Sequence, residues 1–400
     1  MRAAPALPIV AEPRVPASAG DGLAVHERVV RAVPDALVAE WQSLALGASE
    51  PNCFAEPWFV AAGLRHLAEG DVRLIEVRED GRLIGILPLC VAARYGRIGV
   101  AHVENRQHYH DFLGTPLVRA GAEQAFWSAI LGHLDGADWA PAFFHMSGLV
   151  EDGPVHRGLE AAARALGRGC PLVHRIVRAE LASSLSPSAY YESHVRKKKR
   201  KELKRLQNRL AELGTISCRS LGDGEDVGDW IDQFLALERA GWKGEAGSAL
   251  GCTPATEAFF REAVSGAAAA GRLDFLRLDL DGRPIAMLVN FLTPPGAFSF
   301  KIAFDEAFAR FSPGVLIQLE NLRVLGRGDI AWMDSCAAEH HPMIDSLWRE
   351  RRSVVRVTIR LAGIRRGLIY YGCRALELAS AGRWAALKAL AAVIALEEVA

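Results

Sequence analysis

The sequence predicts a layered α/β (α+β) protein in which one folding unit is used twice, each copy with a mixed central sheet, followed by a helical C-terminal appendix. Three observations lead there. The 400 residues are half hydrophobic and about a quarter charged, a globular composition in a chain too long for one ordinary domain. Residues 74–87 read LIEVREDGRLIGIL, and residues 275–288 echo them as FLRLDLDGRPIAML. Apolar residues at helical spacing precede each copy, from Ala55 to Leu67 and from Thr256 to Ala270.

Each echo reads as strand, Asp-Gly, Arg, strand. Asp-Gly supplies the positive φ angles that a two-residue hairpin turn requires. Asp80, Gly81, Arg82, Ile84 and Leu87 match Asp281, Gly282, Arg283, Ile285 and Leu288 at a constant offset of 201 residues. A helix-then-hairpin pattern recurring at half the chain length indicates duplication. The expected organisation is a loose Ala/Pro-rich arm at 1–21, units at 22–186 and 187–360, and an amphipathic helical tail at 361–400. In the second unit a helix within 193–214 stops at Gly214, and Trp230 to Arg239 forms another. After the hairpin come a strand at Phe298 to Ala303, a helix at Val315 to Leu325 and a short strand at Ile330 to Met333, ending at Asp334.

Composition also excludes classes of function. Lys plus Arg equals Asp plus Glu at 47 each, so global charge selects no polyanionic partner. The seven cysteines form no CxxC pair, which argues against a disulfide framework or zinc site and for a reducing, cytoplasmic setting. The arm lacks the basic segment and apolar core of a signal peptide. No apolar run reaches the roughly 18 residues of a membrane span.

Six pieces in order carry a family resemblance: Gly241-Trp242-Lys243-Gly244, the hairpin DGRPIA, Phe300-Lys301-Ile302-Ala303-Phe304-Asp305, Phe311-Ser312-Pro313-Gly314, Asp334-Ser335-Cys336 and Leu347-Trp348. Together they resemble the CelD/BioF-like acetyltransferases, relatives of the GNAT and FemABX superfamilies, over about residues 35–355. The resemblance implies tandem GNAT-like domains and acyl transfer from an acyl-CoA-type thioester to an amine, with no permanently bound cofactor. It also implies envelope or exopolysaccharide precursors, or lipidic amino alcohols such as sphingoid bases, as acceptors.

Such chemistry needs a phosphate cradle, a polarised carbonyl and a deprotonated amine. Ser312, Gly314 and Val315 open a helix whose unpaired N–H groups suit phosphate, and Arg310 adds a charge. This departs from the full Q/R-x-x-G-x-G/A loop of typical GNAT enzymes, which leaves an aminoacyl-tRNA donor as an alternative. Lys301, in an apolar strand, must snorkel, pair or face a cleft; with Asp305 it can bind phosphate or polarise a carbonyl. Asp334, at a strand end, is the first candidate for handling the amine's proton, and Glu238, near Trp242 and Lys243, the second. His340 and His341 read as loop residues near Asp334. Tyr109, His110 and Asp111 are expected to line a cleft between the units. His108 and His110, at alternate positions, would share a strand face, but no third ligand accompanies them and no metal is expected.

Arg196, Lys197, Lys198, Lys199, Arg200, Lys201, Lys204, Arg205 and Arg209 crowd one helix, with Glu202 among them. Donor phosphates, an anionic membrane surface and tRNA are the three partners that fit. Nucleic acid is disfavoured because no aromatic residues interleave the run. The tail mixes Ile364, Ile369, Leu376 and Trp384 with Arg365, Arg366 and Lys388, an interfacial pattern. The rival reading from another class is a GNAT-like module that binds a ligand without catalysis.

Overall fold

The computed structural model describes residues 22–380 and Gly382. The expected arm at 1–21, and residues 381 and 383–400 of the expected tail, lie outside the described residues. The first unit contributes β1 (Leu23–Val30), β2 (Val72–Glu79), β3 (Arg82–Ala92), β4 (His102–Asn105), β5 (Leu117–Val118), β6 (Phe143–Val150) and β7 (Leu172–Leu181). The second contributes β8 (Ile216–Ser220), β9 (Leu273–Leu280), β10 (Arg283–Thr293), β11 (Gly296–Phe304), β12 (Trp332–Asp334) and β13 (Glu350–Arg360).

These strands form one sheet, in the order β1-β2-β3-β4-β6-β13-β7-β12-β11-β10-β9-β8, with β5 beside β3. The sequence suggested two separate sheets; the fusion comes from an exchange at the centre. Read inward from either edge, β1, β2, β3, β4 and β6 correspond to β8, β9, β10, β11 and β12. The last strand of each unit then crosses over: β13 pairs with β6, and β7 pairs with β12. Each unit is therefore completed by a strand of the other. A cut between residues 186 and 187 would separate β7 from both its neighbours, β12 and β13.

The echoed hairpins repeat in detail. Asp80 and Gly81 have φ of 48° and 79°, and Asp281 and Gly282 have 50° and 79°, positive at both turn positions as a type I′ turn demands. Both hairpins shift register at the same point: Ile84 is skipped between Gly85↔Val77 and Leu83↔Arg78, and Ile285 between Ala286↔Leu278 and Pro284↔Asp279. An extra residue of this kind sharpens local twist.

Alternation along β2 and β3 divides their side chains between two cores. Ile75, Val77, Ile84, Leu87 and Leu89 pack with the helices Glu123–Gly136 and Pro154–Ala165, whereas Leu74, Leu83 and Ile86 pack with Trp41 and Leu64. A third core joins the units. Phe54, Phe59 and Phe112 of the first meet Phe259, Phe291, Phe298 and Phe300 of the second. Edge-to-face aromatic pairs such as these add about 0.5–1.5 kcal/mol each beyond their buried area. Helices Pro57–Leu67 and Pro254–Ala269, each just before an echoed hairpin, pack on one another across this core.

A buried ion pair closes the exchanged strands. Arg178 of β7 donates from Nη2 to Asp334 Oδ2 of β12 at 2.6 Å, with both side chains almost wholly inaccessible. Its Nη1 donates to the carbonyl of Phe112 at 2.8 Å. Removing one partner of such a pair strands a buried charge, whereas neutralising both does not. Arg178→Met should therefore lower the urea-unfolding free energy by about 3–5 kcal/mol. The double variant Arg178→Met/Asp334→Asn should recover at least half of that loss; equal losses in the two variants would contradict the pairing.

Candidate functional site

Strands β11 and β12 run parallel and pair only as far as Phe298↔Asp334. Beyond that point β12 ends while β11 runs on to Phe304, which leaves a gap in the strand pairing beside it. The far side of β11 carries a bulge: Ser299 faces Asn290 and Lys301 faces Val289, with Phe300 the extra residue. The bulge directs Phe300 into the inter-unit core, where its ring meets Phe54, Phe59, Phe112, Phe260 and Phe291. It also leaves Lys301 at the mouth of the gap. Lys301 Nζ lies 4.9 Å from the Phe112 ring centre and 5.4 Å from that of Phe300, and makes no hydrogen bond or ion pair among the described residues. Burial, reinforced by the nearby charge of Lys243, lowers its pKa to about 8.

Lys243 is held in place. Its Nζ donates to Glu238 Oε1 at 2.8 Å and to the Ile302 carbonyl at 3.1 Å. Glu238 Oε2 accepts the Leu250 N–H at 2.8 Å. Oε1 thus ties the helix Val227–Ala240 to β11 through Lys243, and Oε2 ties it to the turn at Leu250. Trp242 lies beside them and is mostly exposed.

The first unit contributes the opposite wall. Residues 108–111 lie in a turn and loop after β4 and not on a strand, so His108 and His110 do not share a strand face. The N–H of His110 donates to His108 Nδ1, which fixes the proton of the neutral ring on Nε2, 3.3 Å from Asp111 Oδ1. His110 is buried, stacks on Phe259 with ring centres 5.3 Å apart, and leaves Nδ1 without a partner. Burial, with the positive charges of Lys301 and Lys243, lowers its pKa to about 3, and burial raises that of Asp111 to about 7. Tyr109 is exposed. The expected cleft residues and Lys301 therefore meet at one place.

Other candidates sit elsewhere. Asp334 has no accessible surface; besides Arg178, it accepts the Cys336 N–H at 2.9 Å and lies 3.8 Å from Arg352 Nε. Its lone pairs are committed, which makes it a positioning group, and its replacement is first a stability change. Asp305 caps the turn at Ala307 and accepts from Arg283 at 2.8 Å, so it does not pair with Lys301. Arg310 stacks over Phe311 at 4.7 Å. Ser312, at φ 55°, precedes the helix Pro313–Glu320 and makes no side-chain cap. Gly314 packs against β11: a Cβ there would meet Phe304 at 3.3 Å and Ile302 at 3.7 Å. The start of that helix therefore adjoins the strand that carries Lys301. Cys336 and Cys53 are buried, and burial pushes both thiols well above their usual range, so neither is an activated nucleophile.

The duplication makes one comparison available within the chain. At the offset of 201, Pro88 corresponds to Val289. Arg106 donates its N–H to the Pro88 carbonyl, so it occupies the place of Lys301 in the first unit. There the gap is closed. Asn105 bridges it by bonding both the N–H and the carbonyl of Ser147, at 2.8 and 2.9 Å, and Arg106 donates to the Gly63 carbonyl. The matching Lys301 was legible in the sequence; its unmatched state was not.

The basic helix spans Lys197–Ala211, with Leu203, Leu206 and Leu210 buried beneath it. Arg196, Lys197, Lys198, Lys201, Lys204, Arg205 and Arg209 are exposed. Among the described residues, Lys199 with Glu202 at 3.4 Å is the one ion pair made by its basic side chains. Like charges at i,i+4, as in Lys197/Lys201, Lys201/Arg205 and Arg205/Arg209, cost about 0.2–0.5 kcal/mol each. Cations at a helix N-terminus oppose its dipole as well.

Residues 197–341 match the acetyltransferase (GNAT) domain family. No curated protein matches the chain. Among solved structures, the crystal structure of FemX superposes with a TM-score of 0.56 at 8% identity, covering 80% of this chain and 95% of FemX. A conserved protein of unknown function from Bacteroides thetaiotaomicron does so with a TM-score of 0.52 at 12% identity, covering 84% and 99%. These likenesses establish a shared fold.

Lys301 yields a test with a defined sign. The unfolded lysine holds its proton up to about pH 10.5, whereas the folded one releases it near 8. Between these values the unfolded state binds more protons, so this group makes stability rise with pH. The stability advantage of Lys301→Met over the wild-type protein should shrink from pH 7 to pH 10 in chemical denaturation; a constant difference would contradict the assignment.

Proposed function

We propose that the protein is an N-acyltransferase that takes an acyl group from an acyl-CoA-type thioester and transfers it to an amine at the gap between β11 and β12. The carrying observation is a half-buried Lys301 at the mouth of that gap, set between the Phe112 and Phe300 rings with no hydrogen bond or ion pair among the described residues, inside the segment that matches the GNAT family. A lysine without an internal counter-charge in an aromatic setting is suited to an oxygen that gains negative charge during reaction. The thioester carbonyl would face Lys301 Nζ, and the phosphate end would extend toward Ser312, Val315 and Arg310 at the adjoining helix start. The amine approaches from the wall formed by His110 and Phe112. Its nitrogen attacks the carbonyl carbon, the C–N bond forms, and the C–S bond breaks. The thiolate leaves, and the amine proton passes to it through water.

A lipidic amine fits a further observation. On the helix Ile364–Ser380, Ile364, Leu368 and Leu376 are 87%, 61% and 57% exposed. Successive members lie four and eight residues apart and so form one outward apolar stripe, suited to the interface of an anionic membrane. Among the described residues, no helix is long and apolar enough to cross a membrane.

Acetyl-CoA or hexadecanoyl-CoA should raise the melting temperature of the wild-type protein, and Lys301→Met should lower kcat at least tenfold with little change in donor affinity. No shift with either donor would favour the non-catalytic binding module. Ile364→Glu/Leu368→Glu should reduce flotation with vesicles containing phosphatidylglycerol; unchanged flotation would remove this helix from the reading.

A further inference from the structure

The helix Lys197–Ala211 carries a charge pattern that neither its own stability nor the acyl-transfer gap explains. At about 100° per residue, Lys204, Lys197, Lys201, Arg205, Lys198 and Arg209 fall in order within an arc of about 140°. Leu203, Leu206 and Leu210 fall on the opposite side, and these three are the buried ones. The result is a straight outward stripe, about 18 Å long from residue 197 to 209 at 1.5 Å per residue, with no large apolar side chain within it. The chain has equal numbers of acidic and basic residues, so the stripe is a local concentration.

Its position matters as much as its charge. Leu210 shares a core with Phe311, Leu316 and Ile317, and the helix packs on the turn Glu306–Phe311 that leads into Ser312. The exposed Arg310 extends the positive field to that turn. The stripe therefore flanks the end of the gap assigned above to the donor's phosphates. It extends well past one phosphate cluster, so a free nucleotide thioester would leave most of it unused. A donor whose thioester arm is anchored on a protein would instead bring an extended surface to that end. An interfacial membrane helix needs an apolar face toward lipid, and here that face is spent on the protein core.

We propose that this stripe docks an acidic carrier protein, which delivers the acyl group as a phosphopantetheine thioester. The proposal rests on the acyl-transfer reading. Complementary rows of charge steer encounter and fix register, and they make association fall with salt.

The probe is a bacterial type II acyl carrier protein loaded with a hexadecanoyl chain, titrated against the full chain by calorimetry at low and at moderate salt. Binding should be salt-sensitive. It should weaken at least tenfold in Lys197→Glu/Lys201→Glu/Lys204→Glu/Arg205→Glu, while the melting shift with hexadecanoyl-CoA persists. Glutamine at the same four positions, which adds no new charge, should weaken it in the same direction and guards against a folding defect in the first variant. No binding by the wild-type protein, or equal binding by the variants, overturns the proposal. Loss of anionic-vesicle binding in the variants without any carrier binding overturns it in favour of a membrane. If hexadecanoyl-CoA itself gives no shift, the acyl-transfer reading fails, and that result is separate from failure of docking.

Discussion

The Arg178–Asp334 pair is the constraint on which the rest of the arrangement depends. It joins the last strand of the first unit to the strand at which the second unit's gap begins. From the same guanidinium a second hydrogen bond reaches the Phe112 carbonyl. One buried cation thus fixes the strand exchange, the end of β12 and the loop that forms the far wall. An isolated buried pair is weak evidence for net stability, since desolvation offsets most of the attraction. Its value lies in register: in this exchange of β13 and β7 the buried carboxylate meets Arg178 at 2.6 Å, with Arg352 3.8 Å away.

Duplication followed by divergence accounts for the asymmetry between the two gaps. The same antiparallel register places Arg106 in one unit and Lys301 in the other. The first gap is sealed by the amide of Asn105, and its basic residue is satisfied by a backbone carbonyl. In the second, the bulge at Phe300 turns a ring inward and leaves the lysine without a polar partner. The first unit then contributes its loop, through His110 and Phe112, as a wall for the second.

Much of this was legible in the residues. The hairpins followed from Asp-Gly flanked by alternating apolar residues, and even their shared irregularity lies at the matched Ile84 and Ile285. His110 was expected at a cleft between the units, and a cleft was one of three settings open to Lys301; that the two lie close together depends on contacts the sequence does not show. The exchange of β7 and β13 was not legible, because pairing partners more than 150 residues apart leave no local trace. Strand β8, only five residues long with half-exposed, alternating side chains, gives little periodic signal. Asp334 looked reactive because strand ends border crevices; its commitment to Arg178 depends on a contact across 156 residues. Asp305 looked like a partner for Lys301 by spacing, but the strand ends first and the carboxylate caps the next turn.

The central claim is that the acyl donor binds in the second unit's gap and not at its sealed counterpart. Photocrosslinking with a diazirine-bearing acyl-CoA, followed by peptide mapping, tests it most directly. The account expects label on β11 and on the segment after β12, around Phe300, Lys301, Ser335 and Cys336. Label concentrated around Asn105, Arg106 and Ser147 would contradict it.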